Sequence, residues 1–203
     1  MDLTEIPTPD YSIELPGGWY AYDPDPQTRP ESIVGQVDAR IEFEPHLAAV
    51  RTQLIEIVTQ FAEDADEAGA RLGAIFWEPG DPGAVAAQLM VLDGARVVTD
   101  SVDGEVADLL DRLARPLETD VGPRDVTRVE LPAGPAARIQ LLARTVNAGP
   151  GGADYVLDLI QFWVPAPAHP TNVVVAGETP CLDLDVQFAE AVEDIARTLQ
   201  FAG

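Results

Sequence analysis

Few side chains in this 203-residue sequence have the chemistry for catalysis, apart from its 35 acids. The single cysteine, Cys181, follows Pro180 just ahead of the last amphipathic stretch. A helix N-terminus there would favour its thiolate. A nucleophile also needs a base, and the histidines are His46 and His169. His169 is near in sequence, but its proline-rich surroundings predict a surface loop, so a packed or incidental thiol is expected. The serines are Ser12, Ser32 and Ser101, and none lies in a Gly-x-Ser-x-Gly elbow.

Oxygen ligands are more plentiful. Asp100-Ser-Val-Asp-Gly-Glu105 and Asp183-Leu-Asp185 offer carboxylates, but neither has the alternating acids of the calcium loop. Turn and cap roles are expected for both. Gly149-Pro-Gly-Gly152 lacks the lysine and hydroxyl of a phosphate cradle and joins two strand patterns. Trp19, Trp77 and Trp163 each lie in apolar strand patterns, which predicts core positions. A paired-carboxylate site stays open in so acidic a chain, yet nothing singles out a pair. No catalytic residue, metal or cofactor is therefore assigned from sequence.

The acidic end of one helical stretch is the remaining candidate. Glu63, Asp64, Asp66 and Glu67 crowd its last turns. Each opposes the helix dipole at a cost of about 0.3–1 kcal/mol when exposed at low salt. Local stability does not explain them. A solvated face is one reading; a docking point for a basic protein partner is the other. The wide apolar stripe Leu47, Val50, Leu54, Ile57, Phe61 beside them is expected to be core, and any exposed part of it would mark an interface.

The net charge is −23, and every basic side chain is arginine. That charge repels phosphate backbones and anionic lipid, so neither nucleic acid nor membrane is an expected partner. One cysteine excludes an intramolecular disulfide. No basic-then-apolar segment precedes the first strand pattern, and cytoplasmic residence is the expectation.

The positioning elements are legible as periodicities. Tyr11–Leu15 and Trp19–Tyr22 alternate around Gly17-Gly18 and predict a hairpin, after a loosely held 1–10. The 31–69 region is helical, with Pro45 kinking or breaking it. Strands are expected over 71–77, 84–92 and 95–99, the last two joined by Asp93-Gly94, with a loop over 78–83. A short helix follows between Gly104 and Arg115. Val126–Leu131, Ala136–Arg144, Asp154–Val164 and Thr171–Ala176 are strand patterns, with Asp154–Val164 expected to be central. From about Asp183 to Phe201, Phe188, Val192, Ile195 and Leu199 share one helical face.

The run Val129-Glu-Leu-Pro-Ala-Gly134…Arg138, the strand ending in Pro165-Ala-Pro167, and the terminal Phe188…Ile195-Ala-Arg-Thr-Leu-Gln-Phe201 resemble the Mog1/PsbP-like scaffold. Ile13-Glu-Leu-Pro-Gly-Gly-Trp19 is similar to its first hairpin, most of all in actinobacterial members. The resemblance covers about half of the chain, in pieces. It implies a scaffold whose members mostly bind partners, some of them serving bacterial secretion systems.

The expected fold is a single α+β domain over 1–203. An antiparallel sheet of about seven strands packs against the 31–69 helical elaboration and the C-terminal helix. The expected function is that of a non-enzymatic adaptor or chaperone. The alternative is a small-molecule-binding protein or carboxylate-based enzyme with a pocket between sheet and helices.

Overall fold

The computed structural model describes residues 3–7, 10–80, 83–97, 99–145, 154–166 and 169–202. In chain order the elements are β1 (Leu3–Pro7), β2 (Tyr11–Pro16), β3 (Trp19–Ala21), α1 (Arg29–Phe43), a 3₁₀ turn (Pro45–Val50) and α2 (Arg51–Glu67). Then come β4 (Leu72–Gly80), β5 (Gly83–Gly94), α3 (Val102–Leu113), β6 (Asp125–Leu131), β7 (Gly134–Thr145) and β8 (Tyr155–Pro165). β9 (Asn172–Thr179), a 3₁₀ turn (Leu182–Leu184), α4 (Asp185–Arg197) and β10 (Gln200–Phe201) complete the chain.

Seven strands form one antiparallel sheet in the order β3-β4-β5-β9-β8-β7-β6. A second sheet, β1-β2-β10, joins the two ends of the chain. Two cores result. On one face of the large sheet, Phe188, Val192 and Ile195 of α4, together with Leu199, pack with Tyr11, Ile13 and Leu15 of β2. They meet Leu89, Val91, Phe162, Val164, Val173 and Val175. The stripe read from the sequence is thus fully inward, Phe188 being the most exposed of the four at 7%. On the opposite face, Ile33 and Val37 of α1 and Leu54, Val58, Ala62 and Ala65 of α2 cover Ile75 and Trp77. α3 lies over β6, β7 and β8.

The helical region between residues 29 and 67 is two helices, not one rod. Pro45 opens the intervening 3₁₀ turn, and Leu47 is the residue that turn buries. Proline fits a first helical turn because its missing N–H would be unpaired there anyway.

Several expectations need correction. Tyr11–Leu15 and Trp19–Tyr22 do not form a hairpin: β2 pairs β1 and β10, whereas β3 pairs β4, with Trp19 opposite Phe76. Alternation marks a strand but does not name its neighbour. Residues 3–7 are a paired strand and not a loose tail. Asp93-Gly94 is not a hairpin turn, because β5 runs through it and pairs β9. Gly94 is small for packing: a Cβ there would come within 2.6 Å of Trp163 and Val174. β4 continues to Gly80, and β5 begins at Gly83, where a loop was expected. The middle strand is β9, not β8, and its residues Asn172–Gly177 are buried without interruption. The loop expected over 147–152, with its glycines Gly149 to Gly152, lies outside the described residues. No described helix is long and apolar enough to cross a membrane.

Gly177 sets the closeness of α4 to the sheet. A Cβ there would sit 2.5 Å from Val192 Cγ2 and 3.0 Å from Phe188 Cζ. Gly177→Ala is expected to destabilise by about 1–3 kcal/mol through overpacking. Gly35 on α1 has nothing within 4 Å of its Cβ position. Gly35→Ala is expected to stabilise by about 0.4–1 kcal/mol. Urea midpoints of the two variants check the pair.

Candidate functional site

Directly opposed residues of neighbouring strands share a face. One such row is Ile75, Gln88, Glu178, Leu159 and Leu141, crossing β4, β5, β9, β8 and β7. Ile75 belongs to the core under α1 and α2, so the whole row lies on that face. α2 lies over β4, and the row emerges from beneath it. Ile75 and Gln88 are each 1% exposed, whereas Glu178, Leu159 and Leu141 are half-buried.

Two members of the row are polar, and neither is fully satisfied. The Gln88 side-chain amide donates to Phe61 O of α2 at 2.9 Å, which leaves its Oε1 buried with no donor. The Glu178 carboxylate has neither hydrogen bond nor ion pair among the described residues. Burial pushes its pKa up, and Asp64 pushes it further in the same direction. Asp64 stands on the flank of α2 that also carries Ile57 and Phe61, at helical spacings of four and three. Ile57 is exposed at 45%, Phe61 is half-buried, and Asp64 is exposed.

Two tyrosines complete the neighbourhood. The Tyr22 hydroxyl is buried with no partner. Its pKa is raised mainly by burial, then by Glu178 and Asp64. Tyr155, at the start of β8, is raised by burial and by the same two acids, and it hydrogen-bonds Thr145. Negative charge is therefore concentrated over an apolar floor, and no cation among the described residues pairs with Glu178. Among the described residues, ten arginines already hold carboxylates.

The four acids named from sequence divide. Asp66 is structural: it receives Arg29 Nη1 at 2.5 Å, while Arg29 Nε donates to Asp23 O. That pair sits beside a pocket of about 200 Å³ floored by Tyr22, Ala62, Ala65 and Leu72. Asp64 accepts from Gln60 and belongs to the Glu178 neighbourhood. Glu63 and Glu67 are exposed. Sequence reading missed Glu178 and Gln88. The available signal was a lone acid and a lone amide inside otherwise apolar strands, Val173–Thr179 and Ala84–Leu92.

The other candidates are apart or already occupied. Cys181 and His169 stand at opposite ends of β9, separated by the length of the strand, about 25 Å. Ser101 caps α3 by accepting from Gly104 N, as expected, whereas Glu105 is neither turn nor cap but a carboxylate buried against Arg96. Asp183 and Asp185 lie in the 3₁₀ turn and the first turn of α4. Trp77 is buried, while Trp19 and Trp163 are half-buried.

One further constellation mimics a nucleophile, base and orienting acid. Thr171 Oγ1 meets His169 Nδ1 at 2.8 Å, and His169 Nε2 lies 3.2 Å from Asp10 Oδ2. The hydroxyl donates to Asp93 Oδ1, and Arg71 bridges Asp93 and Asp10. These groups clamp the starts of β2, β4 and β9 to the end of β5. Arg71 first, and His169 second, hold the Asp10 carboxyl below the usual carboxylate range.

A scan against protein-family models gives no match for the chain, and a search of curated proteins gives none either.

Two outcomes follow from the charges. Ionised Glu178 penalises the folded state wherever it is charged, because its folded pKa lies above its unfolded one. Glu178→Gln is expected to raise Tm at neutral pH, and the gain should shrink as pH falls towards about 4.3, the ordinary glutamate value. Asp10 works in the opposite sense. Its stabilisation is present above the unfolded value of about 3.9 and is lost as pH falls through its lower folded pKa. The stability gap between wild type and Asp10→Asn should be widest near neutral pH and close in acid, as read by urea midpoints across pH.

Proposed function

We propose that this chain is a non-enzymatic protein-binding protein, an adaptor or chaperone. It holds a basic segment of its partner along the α2 flank and the open end of the Glu178 row. The observation that carries this reading is Glu178 itself: a half-buried carboxylate without a cation, beside Asp64, on a floor of Leu159, Phe61 and the exposed Ile57. A buried charge is stable only when something pairs with it. Ten of the twelve arginines hold carboxylates elsewhere, and neither of the exposed Arg115 and Arg144 forms an ion pair with Glu178, so a cation from another molecule is the natural complement. The exposed Glu63 and Glu67 and the net charge of −23 extend the attraction beyond contact range. The Mog1/PsbP-like resemblance supports the same reading, and secretion-associated service belongs to it as an analogy only.

The raised Glu178 favours a second reading, in which it serves as a general acid on a small molecule bound over the row. That enzyme would need a closed pocket; the half-exposed row beside Ile57 fits a docking surface better.

The test is fluorescence anisotropy of a labelled peptide of alternating lysine and leucine, at low and at physiological salt. Saturable binding that weakens with salt is expected, and Ile57→Ser and Asp64→Asn should each weaken it. Their side chains are exposed, so the fold should tolerate both. Binding unchanged in both variants, or none at low salt, would overturn the reading.

A further inference from the structure

We infer that the docking surface contains a seat for one lysine side chain, with its ammonium on Glu178 and its stem over Ile57, Phe61 and Leu159. This rests on the docking reading above and goes further by naming the anchor. Three oxygen-bearing groups on this face lack donors. The Glu178 carboxylate is unpaired among the described residues; Gln88 Oε1 and the Tyr22 hydroxyl are buried without partners. Gln88 is 1% exposed and pairs directly with Glu178 across β5 and β9, so the two side chains are neighbours on the same face.

The donor geometry selects among cations. An ammonium is a compact charge with three rotatable donors and no acceptor. It suits one carboxylate flanked by separate neutral oxygens. A guanidinium is a rigid fork that favours both oxygens of a carboxylate edge, as Arg96 takes from Glu105 here. The apolar flank matches the methylene stem, which lysine lays along hydrophobic surface while its head finds charge.

The sequence adds a further point. This chain contains no lysine, and its own cations are forks. A seat that prefers ammonium over guanidinium therefore discriminates against the side chains of other copies of this chain, at a concentration where self-association would otherwise compete.

The experiment uses the full chain and three capped peptides, leucine-X-leucine, in which X is lysine, arginine or norleucine. Affinity is read by calorimetry, and the seat is read by the NMR signals of the Gln88 side-chain amide and the Tyr22 ring. The lysine peptide is expected to bind about tenfold or more tighter than the other two and to shift both signals. Glu178→Gln should abolish that preference while raising Tm, a combination that a merely structural role does not produce. Equal affinity for lysine and arginine, or a preference that survives Glu178→Gln, would overturn the seat. If the three short peptides fail while the longer lysine-leucine peptide still binds at low salt, the seat falls and the docking surface stands. If neither binds, the docking surface falls as well.

Discussion

Burial of β9 on both faces is the constraint from which most of the structure follows. One face meets α4 at Gly177, close enough that Val192 and Phe188 occupy the space of a side chain. The other face lies in the helical layer, where Val174 and Ala176 are 2% and 3% exposed. A strand held this way has no water to satisfy its polar groups, so each must find a partner inside. Thr179 does so through Ala86 O, and the Asn172 amide through Ala95 O. Glu178, between them and towards the open end, does not. Its unpaired charge stands in this layer with the orphaned Gln88 Oε1 and Tyr22 hydroxyl, two more polar groups that go unanswered.

The arginines are distributed with the same economy. Arg96 joins the start of α3 to the segment after β8, holding buried Glu105 and the carbonyls of Ala166 and His169. Arg29 fastens the entry of α1 to the exit of α2. Arg124 closes the connector after α3 through Asp120 and Leu113 O. Each guanidinium fork spans a seam between elements, a task for which several fixed donors suit better than a single point charge. Asp158, buried, is held by the Gln140 amide instead, and the exposed acids dominate the long-range field.

How much of this was legible in the sequence depended on whether the signal was local. The periodicity of Phe188, Val192, Ile195 and Leu199 gave the closing helix and its inward face, because a helix writes its own spacing. The strand patterns Val126–Leu131 and Ala136–Arg144 were equally plain, and they pair as the β6–β7 hairpin. Pairing between distant strands was not. Tyr11–Leu15 and Trp19–Tyr22 alternate like a hairpin, yet they serve different sheets. Gly94 looks like a turn residue but exists to let Trp163 pass. The acidic end of α2 was visible as a charge run, but its division into a structural Asp66 and an outward-facing Asp64 depends on Arg29, 37 positions away. Glu178 was hidden for the same reason: its significance comes from which strands flank it, and that is a property of topology.

The small second sheet brings the first and last strands together on β2, with Phe201 opposite Tyr11 and Ala202 N bonded to Asp10 O. A chain made from its amino end cannot complete that sheet until Phe201 has left the ribosome. Until then Tyr11, Ile13 and Leu15 lack their cover from α4 and β10. Contacts of such long sequence separation form late and slowly. The nascent protein therefore keeps one core open through the synthesis of every element between β2 and α4, and seals it only once β10 has emerged.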